Sequence, residues 1–161
     1  MDAKSIQLIE RLLFKKIILY KDLLNSLHGE KKSLMDIDLD RLWEISKEKE
    51  EICSKIMSVR QDISSIVRPE GHQESFGLKQ IVEIVPREDR LRFHELYRTI
   101  LQLKGEVEVL REENMAFIDD SLQFLDEMIS LLRGEANSNI NYNNKCQLNK
   151  SNANVILSRE V

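Results

Sequence analysis

Glycine and proline are scarce in this chain, five and two among 161 residues. So little punctuation argues for long uninterrupted helices and against a small globular ball. Cysteine is nearly absent as well: Cys53 sits in a helical pattern and Cys146 in a polar stretch, too few and too far apart for a disulfide framework or a metal-ligand pair. Reduced thiols and a cytoplasmic location are expected. Positive charge is in deficit, with a net charge of −4 and a pI near 5.5, and no basic run is interleaved with aromatics, which excludes a nucleic-acid protein. No segment is apolar enough to cross a membrane. The opening MDAKSIQLIERLLFKK carries acidic residues within its apolar stretch and no small-residue cleavage site, so it does not read as a signal peptide.

Catalytic constellations are missing too. His28, His72 and His94 lie on different segments with no His-x-x-x-His pair, and no phosphate loop, nucleophile elbow or zinc motif occurs. The reading is a protein without enzymatic activity, metal or cofactor.

What the chain does have is charge, 32% of its residues, laid over apolar residues at helical spacing. The stretch MDIDLDRLWE, residues 35 to 44, sets Asp36, Asp38 and Asp40 at every second position, like the start of a calcium loop. Such a loop needs glycine at its sixth position and glutamate at its twelfth, where Arg41 and Lys47 stand. The aspartates instead suit a helix start, with Asp38 capping and Asp40 in the first turn, where the helix dipole favours negative charge.

The periodicity predicts three helices. The first, over residues 4–35, places Ile6, Ile9, Leu13, Ile17, Tyr20, Leu24, Leu27 and Leu34 in steps of three and four, and Leu12, Phe14, Ile18, Leu19 and Leu23 widen the stripe towards a second neighbour. Gly29 is a point at which it could break. The second, over 39–67, carries Leu42, Ile45, Lys49, Ile52, Ile56, Val59, Ile63 and Ile66; Lys49 can lay its stem on the core while its ammonium reaches water. A loop is expected over 68–77. The third, over 87–133 behind Pro86, has the longest stripe, including Phe93, Leu96, Ile100, Leu103, Leu110, Asn114, Phe117, Phe124, Met128 and Leu132, and Gly134 stops it. Asn114 interrupts that stripe in the manner of a polar residue that sets register. The fold class is all-α: an elongated, coiled-coil-like antiparallel bundle over 1–134, followed by a flexible, disordered polar tail over 135–161. The tail still holds Tyr142 and the cluster Val155, Ile156 and Leu157, apolar residues that suit a binding segment better than a linker.

The run LLNSLHGEKKSLMDIDLDRLWEISKEKEEICSKIMSVRQDI resembles the first helical hairpin of FlgN-type flagellar export chaperones, through Leu23, Leu24, Leu27, Glu30, Leu34, Asp38, Leu42, Lys49, Ile56 and Arg60. ENMAFIDDSLQFLDEMISLLRG is similar to the family's last helix, with Asn114 at a recurrent asparagine, and Tyr142 stands where the family tail has a tyrosine, although Asn143 and Asn144 follow it in place of glycines. The resemblance implies a cytoplasmic chaperone of the flagellar type III export system. It would bind the C-terminal helices of hook-filament junction proteins (hook-associated proteins) and deliver them unpolymerised to the export apparatus. Asn114, Phe117, Phe124, Met128, Val155, Ile156 and Leu157 are then the expected client surface, and Tyr142 the expected docking residue for the export gate. The alternative is a self-associating structural coiled coil without a client, whose stripes are covered by its own copies, as in a homodimer.

Overall fold

The computed structural model describes residues 2–67, 81–82, 85–133, 141–142 and 148–149. Three long helices dominate them: α1 (Ala3–Asp36), α2 (Leu39–Val67) and α3 (Arg90–Leu132). Two short strands, β1 (Asn141–Tyr142) and β2 (Leu148–Asn149), pair antiparallel in the tail, Tyr142 opposite Leu148. The expected loop at 68–77 and the helix stop at Gly134 lie outside the described residues. The all-α expectation holds. The chain divides into two compact units, Met1–Ala116 and Phe117–Val161, with the boundary inside α3.

In the first unit α1 begins on Asp2, whose carboxylate accepts a hydrogen bond from the Ser5 N–H at 3.1 Å. It then runs without a break through Gly29, where an added Cβ would meet the Ile45 side chain at 3.4 Å. Its end is a Schellman turn: Ile37 N–H bonds to Leu34 C=O at 3.4 Å and Asp38 N–H to Ser33 C=O at 2.9 Å. Asp38 also opens α2, its Oδ1 accepting from Arg41 N–H at 3.0 Å and its C=O from Leu42 N–H at 3.0 Å. The arginine at the calcium loop's glycine position instead pairs with Glu44 at 2.8 Å.

The turn requires a left-handed residue at Ile37, with φ 56°. A β-branched residue there costs on the order of 1–2 kcal/mol, and the side chain, 78% exposed, recovers little of it by burial. Ile37→Gly is therefore expected to stabilise the protein by about 1 kcal/mol. Urea denaturation would show it as a higher midpoint at unchanged slope; an unchanged or lower midpoint would contradict it.

The third helix starts at Arg90, three residues later than the periodicity suggests. Pro86 opens a separate turn, closed by Asp89 N–H to Pro86 C=O at 3.1 Å, and the helical ladder begins at Phe93 N–H to Asp89 C=O. Just before it, Val85 is fully buried and holds the turn against the core.

Within the first unit α1 goes up, α2 down and α3 up. Glu10 near the start of α1 pairs with Arg92 near the start of α3, while Lys31 near the end of α1 pairs with Glu113 at 2.8 Å. Ile9, Leu13, Val59, Val85, Phe93 and Ile100 lie in one continuous core to which Ile81 and Val82 also belong. Leu19 and Leu23, outside the narrow seam of α1, are buried while Tyr20 and Leu24 are only partly so. The widened stripe of α1 thus serves two neighbours through Leu19 and Leu23, whereas Phe14 and Ile18, expected beside them, stay exposed by 46% and 59%.

Candidate functional site

Two regions of α3 carry the residues singled out from the sequence, and they differ in kind. Asn114 is inside the first unit, 2% exposed. Its Nδ2 donates to Leu27 C=O at 3.0 Å and to Glu30 Oε2 at 2.9 Å, while Lys49 Nζ donates to the other Glu30 oxygen. One polar layer therefore ties all three helices together. The Lys49 ammonium, expected to reach water, is paired with the Glu30 carboxylate that α1 offers where the seam passes, its side chain a quarter exposed. Buried as it is, Asn114 presents no surface to a client, and its expected place there gives way to this internal one. A short step away, the Lys31 hydrogen bond and charge hold the Glu113 carboxyl below the usual carboxylate range. The stabilisation from that pair is present above the ordinary carboxylate pKa and is lost as pH falls.

From Phe117 onwards α3 changes character. No residue between 117 and 133 is buried. Steps of seven, four and four residues set Phe117, Phe124, Met128 and Leu132 along one stripe, exposed by 44%, 61%, 43% and 85%. Leu122, Leu125, Ile129 and Leu131 are exposed beside them. Such a run of large apolar side chains on a helix, exposed among the described residues, is the mark of an interaction surface rather than of a solvated face. Of the expected client residues, then, Phe117, Phe124 and Met128 stand together on one open helix face. Tyr142 is placed by its backbone in β1, and Val155, Ile156 and Leu157 lie outside the described residues.

Among the described residues no group of three or more His, Cys, Asp or Glu side chains could hold a metal ion. His28 and His94 are exposed on separate helices, and no described helix is long and apolar enough to cross a membrane.

A comparison with protein families matches the FlgN protein family over residues 1–150, from α1 through the β1–β2 ladder. The chain belongs to the FlgN family. Neither a curated protein nor a solved structure matches it. Membership in FlgN, a family of chaperones rather than of enzymes, makes its general role that of a flagellar export chaperone, with flagellar hook-associated proteins as the kind of partner the family suggests. An open apolar helix face is the feature such a role needs.

One polar residue of this FlgN chain escaped the sequence reading. Lys16 lies on the buried face of α1, three residues after Leu13 and one before Ile17, and is only 7% exposed. Burial first, then the charges of Arg60 and Lys104, push its ammonium below the ordinary lysine range. A lysine with a lowered folded pKa binds its proton less tightly in the fold than in the unfolded chain, so the fold gains stability as pH rises towards the ordinary lysine value. The available signal was a cation in step with the apolar stripe.

Proposed function

We propose that the chain is a cytoplasmic chaperone that binds the C-terminal helix of a hook-filament junction protein on the Phe117–Phe124–Met128 face of α3 and delivers it unpolymerised to the flagellar export apparatus. The observation that carries this reading is the complete lack of buried residues from 117 to 133, despite the apolar stripe there. A client helix whose own apolar face packs only in the finished filament would associate prematurely if left bare, and laying it on this face covers both stripes without any nucleotide. The segment over 135–161, with Val155, Ile156 and Leu157, extends that surface, and Tyr142 docks the loaded chaperone on the export gate.

Isothermal calorimetry with the C-terminal fragment of a junction protein tests the client step. One-to-one binding at micromolar affinity or tighter is expected, weakened by deleting residues 134–161. Phe124→Asp should weaken it about thirtyfold, the loss of one hot-spot contact worth about 2 kcal/mol. Because Phe124 is 61% exposed, far-UV circular dichroism and melting of that variant should stay unchanged. No binding together with a concentration-dependent oligomer would sink the client reading and leave a self-associating coiled coil whose copies cover the stripe.

A further inference from the structure

Four large apolar side chains stand open within nine residues where α1 turns into α2: Met35, Ile37, Leu39 and Trp43, exposed by 67%, 78%, 71% and 66%. Leu39 and Trp43 are one turn apart on α2, and Trp43, two residues before the buried Ile45, lies on the side of that helix turned away from the core. Apolar residues scattered singly over a surface are ordinary. A cluster that includes the only tryptophan of the chain is of another kind, since tryptophan is prominent among the residues that carry binding energy at interfaces.

The fold by itself would favour a different residue at the turn. Ile37 holds φ 56°, a conformation that suits glycine, and strain kept at an open position points to a use outside the fold. The charges around it narrow what that use can be. From Met35 to Glu48 five carboxylates stand against two cations. Arg41 is engaged by Glu44 and Glu48 and Asp38 caps α2, while Asp36 and Asp40 join no ion pair among the described residues. Lys47 Nζ lies 5.1 Å from the centroid of the Trp43 ring, so the indole already accepts a cation. A second copy of the chain, a nucleic acid or an anionic membrane would each bring negative charge to a negative tip.

We infer that the α1–α2 turn, through Ile37, Leu39 and Trp43 rimmed by Asp36 and Asp40, docks a protein helix that presents leucine-type residues flanked by lysine or arginine. The apolar face of such a helix covers the three side chains, and its cations reach the two carboxylates and the indole in charge-assisted contacts. The surface lies wholly within the first unit. It is distinct from the open face of α3 and does not depend on the client reading.

Because Trp43 is the only tryptophan, its fluorescence reports on this surface alone. The full chain is titrated with a tryptophan-free amphipathic helical peptide of leucine and lysine, and with the same peptide carrying glutamate in place of lysine. The lysine peptide alone should move the emission to shorter wavelength, saturably. Ile37→Gly should weaken that response about tenfold, the loss of one aliphatic contact, although the same change is expected to stabilise the fold. Asp36→Asn and Asp40→Asn together should weaken it about fivefold at low ionic strength. Phe124→Asp should leave it unchanged. No shift, equal shifts with both peptides, or affinity unaltered by the Ile37 and aspartate changes would overturn the proposal. So would loss of the shift in Phe124→Asp, or a shift brought about by phosphatidylserine vesicles or by raising the concentration of the chain itself in place of the peptide.

Discussion

Glu30→Ala is expected to destabilise the protein by about 3 kcal/mol, the lower end of the cost of removing one partner from a buried ion pair. The side chain is 13% exposed and holds Lys49 with one oxygen and Asn114 with the other. Its loss strands the ammonium of a lysine side chain that is three-quarters buried and leaves the Asn114 amide with the Leu27 carbonyl alone. Asn114→Leu should behave differently. It removes a buried Oδ1 that has no hydrogen-bond partner, but also the Nδ2 that serves Leu27 C=O and Glu30, so its cost should be about 1–2 kcal/mol, the lower part of the cost of leaving a buried acceptor without its donor, since Lys49 still answers Glu30. What it should lose is the selection of register among helices whose apolar stripes otherwise allow sliding by a turn. Urea denaturation of the two variants, read beside amide hydrogen exchange of α3, checks both halves. Equal destabilisation by the two would mean that Glu30 and Asn114 act as interchangeable polar fillers.

Phe93→Ala carries the largest expected effect, about 3–5 kcal/mol, from the lost transfer of an aromatic ring together with the cavity it leaves. Phe93 is 1% exposed in the core shared with Ile9, Leu13 and Val85, one turn into α3. Thermal melting by circular dichroism should show a fall in Tm of roughly 10 °C for a chain of this size. Phe124→Ala, on the same helix but beyond the first unit, should stay within about 0.5 kcal/mol of the native protein. A large loss at Phe124 and a small one at Phe93 would invert the division of α3 into a core part and an open part.

That division was only half legible in the sequence. The heptad-like stripe runs through Leu96, Leu103, Leu110, Phe117, Phe124 and Leu132 at helical spacing throughout, so periodicity alone predicts one continuous seam. Whether a stripe is covered depends on what lies opposite. Both α1 and α2 were visible as partners, with Asp38 as the cap between them, Lys49 in the seam and Ile45, Val59 and Ile63 as the buried positions of α2. Their reach along α3 is a tertiary fact that no local pattern encodes. The same holds for Asn114: its residue type announced a polar interruption, but its partner Glu30 lies 84 residues earlier, and only packing reveals that the two meet. Lys16 was missed for a different reason: a cation in step with the apolar stripe was there to be read, but long cations at such positions are so often surface residues that the residue type does not announce burial.

The sharing of Asp38 between two helices bears on the order in which the molecule comes together. As the last hydrogen-bonding residue of the α1 turn and the first of α2, it leaves almost no chain to close, so the α1–α2 hairpin forms at little loop entropy. Synthesis delivers those two helices first, and Glu30 can meet Lys49 while α3 is still unmade. Closure over Asn114 must then wait for a helix that begins only at Arg90, well beyond the end of α2 at Val67, a slower and less local event. A nascent chain paused at that stage would carry a half-completed polar layer as its marker of immaturity.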